Sequence, residues 1–171
     1  WQHVPTEGAD FNVTTPLIYG SQLLLATENN GTRLHRFAKN GQPVDEPAIV
    51  NPALAPDTCS PVIVGDRVFA TAYGEMYCLD LKNNLKTVWV KEDDIFYDHS
   101  NVIGGNGRVL VWTQSGDLLL LDAAANKFSS LSRMRPFGDG KVDSMSHPAI
   151  VGNRIYLRGP SEIACFQLSK D

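Results

Sequence analysis

Long apolar runs are missing from this chain: none approaches the roughly 18 residues needed to cross a bilayer, which leaves no candidate membrane span. Basic residues are not in excess. With 15 Lys and Arg against 19 Asp and Glu, the net charge is −4 and the isoelectric point about 5.5. Phosphate binding calls for a concentrated basic face, so this balance argues against nucleic acid as a partner. Cysteine is scarce, at 3 in 171 residues, and no C-x-x-C pair occurs, so zinc is not indicated. Cys78 and Cys165 fall at one position of a repeat described below, too far apart for a disulfide, and all three thiols read as small buried core groups. Cys59, at the mouth of a strand, is the one to test for reactivity. Helix signals are also nearly absent, since no long stretch carries apolar residues at a 3.6-residue period behind a capping residue.

What the chain does have is repetition. One phrase returns four times, as Thr15-Pro16-Leu17-Ile18-Tyr19-Gly20, Ser60-Pro61-Val62-Ile63-Val64-Gly65, Ser100-Asn101-Val102-Ile103-Gly104-Gly105 and His147-Pro148-Ala149-Ile150-Val151-Gly152. The second residues of these copies, Pro16, Pro61, Asn101 and Pro148, lie 45, 40 and 47 positions apart. Within a copy, a β-branched run stops at a dipeptide such as Gly65-Asp66, suited to a two-residue hairpin turn. Further strands follow at 67–72, 76–81 and 87–90. A small sheet with large apolar residues on both faces is stable only when stacked against similar sheets. Radial stacking at this period is the signature of a β-propeller. The expected fold is therefore all-β, with four-stranded antiparallel blades and about four blades in the chain. They form one domain with repeats at approximately 9–50, 51–92, 93–138 and 139–171.

Residues 1–8 resemble the outer strand near Trp89, and the last repeat stops after its third strand. Either this orphan strand completes the last blade, or it belongs to a preceding blade of a larger ring. The second is favoured because Trp1 is not an initiator Met. Long connections are expected at 43–58, 91–99 and 133–146, all on one end of the propeller, where loops on a rigid scaffold carry function.

The run from Ser60 to Phe69, then Gly74-Glu75-Met76-Tyr77-Cys78-Leu79-Asp80 and a closing Trp89, resembles the PQQ-type propeller repeat. That resemblance covers the whole chain as four copies. It implies a ring of seven or eight blades and a periplasmic or extracellular location in a bacterial envelope, and it makes Asp171 a near-natural C-terminus. Two functions follow from it. Some members are quinoprotein dehydrogenases that hold pyrroloquinoline quinone (PQQ) with calcium and oxidise alcohols or sugars. Others, such as the lipoprotein of the outer-membrane β-barrel assembly machinery, are non-catalytic scaffolds. This chain lacks the adjacent cysteines of the dehydrogenases, and the closing Trp survives at Trp89, with Trp1 as the second candidate. The expectation is a non-catalytic scaffold without cofactor that binds a protein or polymer, with quinone-dependent oxidation as the alternative. Exposed blade edges would also permit self-association.

Candidate binding residues precede each first strand and should line the loop-rich rim: Asp57, Asp98, His99, Ser146 and His147, with Asn12, Thr14 and Thr58 beside them. Asp98-His99-Ser100 invites a catalytic relay, but consecutive residues of an extended segment point in alternate directions, so the two histidines are expected to cap strand starts. A calcium site from Asp57, Asp98 and Asp143 is chemically feasible with hard oxygen ligands. Asp80 and Asp122 read as turn formers, Arg133-Met134-Arg135 as a solvated loop, and Glu92-Asp93-Asp94 as an exposed acidic turn.

Overall fold

Gly65-Asp66 does close a hairpin, and the same event repeats around the molecule. The computed structural model describes residues 2–139 and 142–168 and contains fifteen strands in four antiparallel sheets. Blade I holds β1 (Leu17–Tyr19), β2 (Gln22–Thr27), β3 (Gly31–Arg36) and β4 (Ile49–Asn51). Blade II holds β5 (Val62–Val64), β6 (Arg67–Ala72), β7 (Glu75–Asp80) and β8 (Lys86–Glu92). Blade III holds β9 (Ser100–Gly105), β10 (Arg108–Thr113), β11 (Leu118–Asp122) and β12 (Ser130–Met134). Blade IV has three strands, β13 (Ala149–Val151), β14 (Arg154–Arg158) and β15 (Ile163–Gln167). Among the described residues there is no α-helix, only a single 3-10 turn at Asp94–Phe96.

Within each blade the strands pair in sequence order, as in a meander. The first strands are neighbours in space, with β5 against both β1 and β9, and the Thr15 amide donates to Ser60 Oγ at 3.0 Å. They therefore form the inner edge from which the blades fan out.

The hairpin registers locate the repeat. Tyr19, Val64, Gly105 and Val151 each sit opposite the first residue of the next strand, so equivalent positions lie 45, 41 and 46 apart. The third copy is thus displaced by one residue from the register its sequence phrase suggests, because its turn is Asn106-Gly107 rather than Gly105-Asn106. The displacement decides which side chains face which blade. Val62 and Val64 point forward to blade III, and Gly104, the structural equivalent of Ile63, points back at them.

Burial follows from this stacking. Blade II has neighbours on both sides, and β6 and β7 are buried almost throughout. A continuous core runs from Leu24 and Leu34 through Val68, Phe69, Leu79 and Trp89 to Val109 and Leu121. A second cluster, built on Trp112, Ile155 and Leu157, joins blades III and IV. The forward face of blade IV meets no further blade, and Val151, Ile163 and Cys165 are exposed there. That corrects the expectation of three buried thiols: Cys165 occupies the same repeat position as Cys78 but lacks the sheet that covers it. Burial lifts the Cys78 thiol to about 12 and also raises that of Cys59, which accepts a hydrogen bond from the Thr71 amide. Cys59 thus lacks the exposure and thiolate character that a reactive thiol needs.

Two further features concern blade I. Residues 2–8 form no strand; Trp1, like Asp171, lies outside the described residues. The segment lies against the rear of blade I, where His3 Nδ1 donates to Asp45 at 2.9 Å and its ring meets His35 edge-on at 4.9 Å. The outer strand of blade I, β4, lies inside the connection expected at 43–58.

His35 is fully buried, and its Nδ1 donates to the Val44 carbonyl at 3.0 Å. Burial lowers its pKa below the ordinary 6.5 despite that bond. Below pH 6.5 the unfolded chain binds the proton more readily than the folded one, so stability should fall as pH drops through that range. A His35→Phe variant should show a flatter dependence of the urea midpoint on pH between 7 and 5; an unchanged slope would place the effect elsewhere.

Candidate functional site

The loops that enter each first strand and the turns joining second to third strands emerge at one end of the molecule. At this end the turn Tyr73-Gly74 stands beside the 3-10 turn at Asp94–Phe96. Asp93 caps that turn by accepting from the Ile95 amide at 3.4 Å. The Gly74 amide donates to the Phe96 carbonyl at 3.3 Å, and the Asp93 amide donates to the Gly74 carbonyl at 3.0 Å. Gly74 has φ +85, and a Cβ there would come to 3.4 Å from the Tyr97 ring. Tyr73 itself takes φ 50, uncommon for a residue with a side chain. The outcome is two tyrosines turned to solvent on a braced support, Tyr73 at 64% and Tyr97 at 77% exposure.

Acidic groups surround them. Glu75 and Glu92 are direct cross-strand partners at the end of β7 and β8, and the Tyr77 hydroxyl donates to Glu75. Partial burial, followed by the charges of Glu28, Asp57 and Asp10, raises the pKa of Tyr73. Farther along the same end, Arg133 clamps the buried carboxylate of Asp117 with Nε and an Nη, each at 2.9 Å. Arg133 and Met134 thus belong to strand β12 and not to a solvated loop.

Most of the residues anticipated for the rim bond to partners outside their own set. Asp57 accepts from the amide of its own neighbour Thr58 at 2.6 Å. Asp98 is exposed. The His99 amide donates to Gln114 Oε1 at 3.3 Å, and the His99 carbonyl accepts from the Gln114 amide at 2.8 Å. Ser146 offers its carbonyl to Asn101 Nδ2 at 3.3 Å, and exposed His147 contacts the Pro148 carbonyl through Nδ1 at 2.9 Å. Thr14 donates to the Ala26 carbonyl, and Asn12 is exposed. No hydrogen bond or ion pair joins any two of Asp57, Asp98, His99, Ser146 and His147 among the described residues. Asp98, His99 and Ser100 do not form a relay: His99 Nε2 and Ser100 Oγ are both buried without a partner. Ser146 alone of the five lines the cavity of about 760 Å³ between Val142–Ser146 and Arg158–Pro160.

Of the carboxylates considered for calcium, Asp57 and Asp143 are engaged locally rather than with one another. Asp143 accepts from Gln114 Nε2 at 2.5 Å while Asp57 is turned onto Thr58, and the described residues contain no group of three His, Cys, Asp or Glu arranged for a metal ion. Asp57, Asp98 and Asp143 therefore do not come together as the calcium site considered above among the described residues. Asp80 and Asp122 are turn formers, accepting from the amides of Lys82 at 2.9 Å and Ala124 at 3.0 Å. Sequence reasoning passed over Tyr73 and Tyr97. The one available signal was a bulky residue ahead of a glycine in a tight turn.

These sheets and their common loop face define a β-propeller built from antiparallel blades. The chain is similar to BamB from Moraxella catarrhalis, at 16% identity and a TM-score of 0.62, over 91% of this chain and 44% of that one. It is likewise similar to apo AztD from Citrobacter koseri (18% identity, TM-score 0.62, 91% and 44% covered) and to the computationally designed Ika8 protein (10%, 0.61, 91% and 46%). The chain spans under half the length of each of these structures, and at such identities the likeness concerns the fold. No protein-family model matches the sequence, and no curated protein matches it. No helix among the described residues is long and apolar enough to cross a membrane.

Proposed function

We propose that the chain is a non-catalytic propeller scaffold that binds a protein partner across its loop face, in the cell envelope, as part of a ring with further blades. The observation that carries this reading is the braced pair Tyr73 and Tyr97, exposed on the loop face. Large aromatic side chains held in solvent are typical anchors of protein interfaces. The PQQ-type repeat and the likeness to BamB and AztD support the scaffold and, through the repeat family, the envelope location. The repeat boundaries 9–50, 51–92, 93–138 and 139–171 belong to the same proposal. Self-association through the open face of blade IV is compatible with it.

A photo-crosslinking residue at position 97 should trap a discrete partner in envelope extracts, whereas the same residue at Lys39, in the connection leading to β4 at the opposite end, should not. Equal labelling from both ends would overturn the loop-face reading. Addition of pyrroloquinoline quinone with calcium should leave the melting temperature unchanged; a clear rise would establish the dehydrogenase alternative instead.

A further inference from the structure

We infer that the Tyr73 and Tyr97 patch is a docking surface for a cationic protein segment, one that presents an apolar side chain between lysines or arginines. The inference rests on the loop-face reading and adds the chemistry of the partner.

Charge complementarity selects this occupant. Glu75 and Glu92 face each other across β7 and β8, a like-charge pair that weakens a sheet unless something cationic lies over it. Glu28 and Asp57 bear on the Tyr73 ring from blade I and the connection that follows it. Asp94 and Asp98 bracket Tyr97 in the chain. None of these six carboxylates takes part in an ion pair among the described residues; Asp93, between Glu92 and Asp94, does, with Arg133 at 3.9 Å, and that guanidinium is held chiefly by Asp117 at 2.9 Å. Lys91 stands next to Glu92 but projects to the other face of the sheet, opposite Met76. The patch therefore joins two aromatic faces to a field in which carboxylates outnumber the one nearby cation, Arg133, the setting in which a lysine or arginine gains from both ring and carboxylates. An acidic segment or a nucleic acid would meet net repulsion from these carboxylates. Blade II is covered on both faces, so this surface does not depend on what lies beyond blades I and IV.

The test uses a labelled peptide with one tryptophan between two pairs of lysines, followed by fluorescence anisotropy against the full chain. Binding is expected, weakening steeply as salt is added. Tyr97→Ala and Glu92→Lys should each reduce affinity by about tenfold or more; neither should lower the melting temperature, because Tyr97 is exposed and Glu92→Lys turns a like-charge pair with Glu75 into an attractive one. Two controls make the result specific. A peptide with glutamates in place of the lysines should not bind. Glu46→Lys makes the same charge change in the connection between β3 and β4, at the other end of the blade, and should leave affinity intact. No binding of the lysine peptide, or equal losses in Glu92→Lys and Glu46→Lys, would overturn the inference. Trapping from position 97 together with silence from the lysine peptide would sink the cationic partner alone; failure of both would sink the loop-face reading too.

Discussion

Replacing Trp89 with alanine is expected to destabilise the protein by about 3–5 kcal/mol, a large part of the stability of a domain this size. Trp89 sits on β8 of blade II at 8% exposure. Its ring lies 6.0 Å from Phe69 of its own blade and meets Phe128, in the β11–β12 connection, edge-on at 5.6 Å and 88°. Nε1 donates to the Ala125 carbonyl at 3.3 Å, and Phe96 closes the group at 6.4 Å from Phe128. The truncation thus removes a packed ring, two aromatic contacts and a cross-blade hydrogen bond together. Trp89→Phe should recover more than half of the loss. The ring contacts persist, and the Ala125 carbonyl keeps its bond from Arg67. Urea denaturation of both variants decides the matter. A Trp89→Ala loss below about 1 kcal/mol would show that the blades are held together by something other than this aromatic group.

The sheets were legible in the sequence because each blade repeats the same local instructions. A β-branched run, a glycine-bearing turn and a second run with arginine or glutamine at its head recur in order, and the hairpins form where those signals fall. Three features were not legible, for separate reasons. The outer strand β4 is only three residues long, close to Pro47 and Pro52, and gives no periodic signal. The register of the third repeat slipped because Gly104-Gly105 imitates the end of the phrase, while Asn106-Gly107 makes the actual turn. Cys165 shares a pattern position with Cys78, but exposure depends on whether a neighbouring sheet is present, which no local pattern encodes. The rim residues fared similarly. Their position at the loop end was readable, but whether Asp57 or Asp143 faced a common centre depended on loop conformations that turned each onto a nearby partner. Tyr73 and Tyr97 looked like ordinary aromatic residues until their backbone placed them in solvent.

The second large effect should come from adding a single methyl group at Gly104. This glycine stands where blade II has Ile63 and blades I and IV have Ile18 and Ile150. Its missing side chain sets how closely blades II and III approach. A Cβ would fall 2.6 Å from Val64 Cγ2 and 3.2 Å from Val62 Cγ2, well inside contact distance. Both valines belong to β5, which is fixed by pairing with β6, so the strand has little room to retreat. Gly104→Ala is expected to cost about 1–3 kcal/mol by overpacking, and Gly104→Val more. The adjacent Gly105 is the control. A Cβ there meets nothing within 4 Å, so Gly105→Ala should stay within about 0.5 kcal/mol of the parent. Combining Gly104→Ala with Val64→Ala should return part of the lost stability, because the smaller residue opens space for the added methyl. A double-mutant cycle should accordingly show a favourable coupling of about 1 kcal/mol. Strict additivity would mean that blade II and blade III do not meet through these side chains.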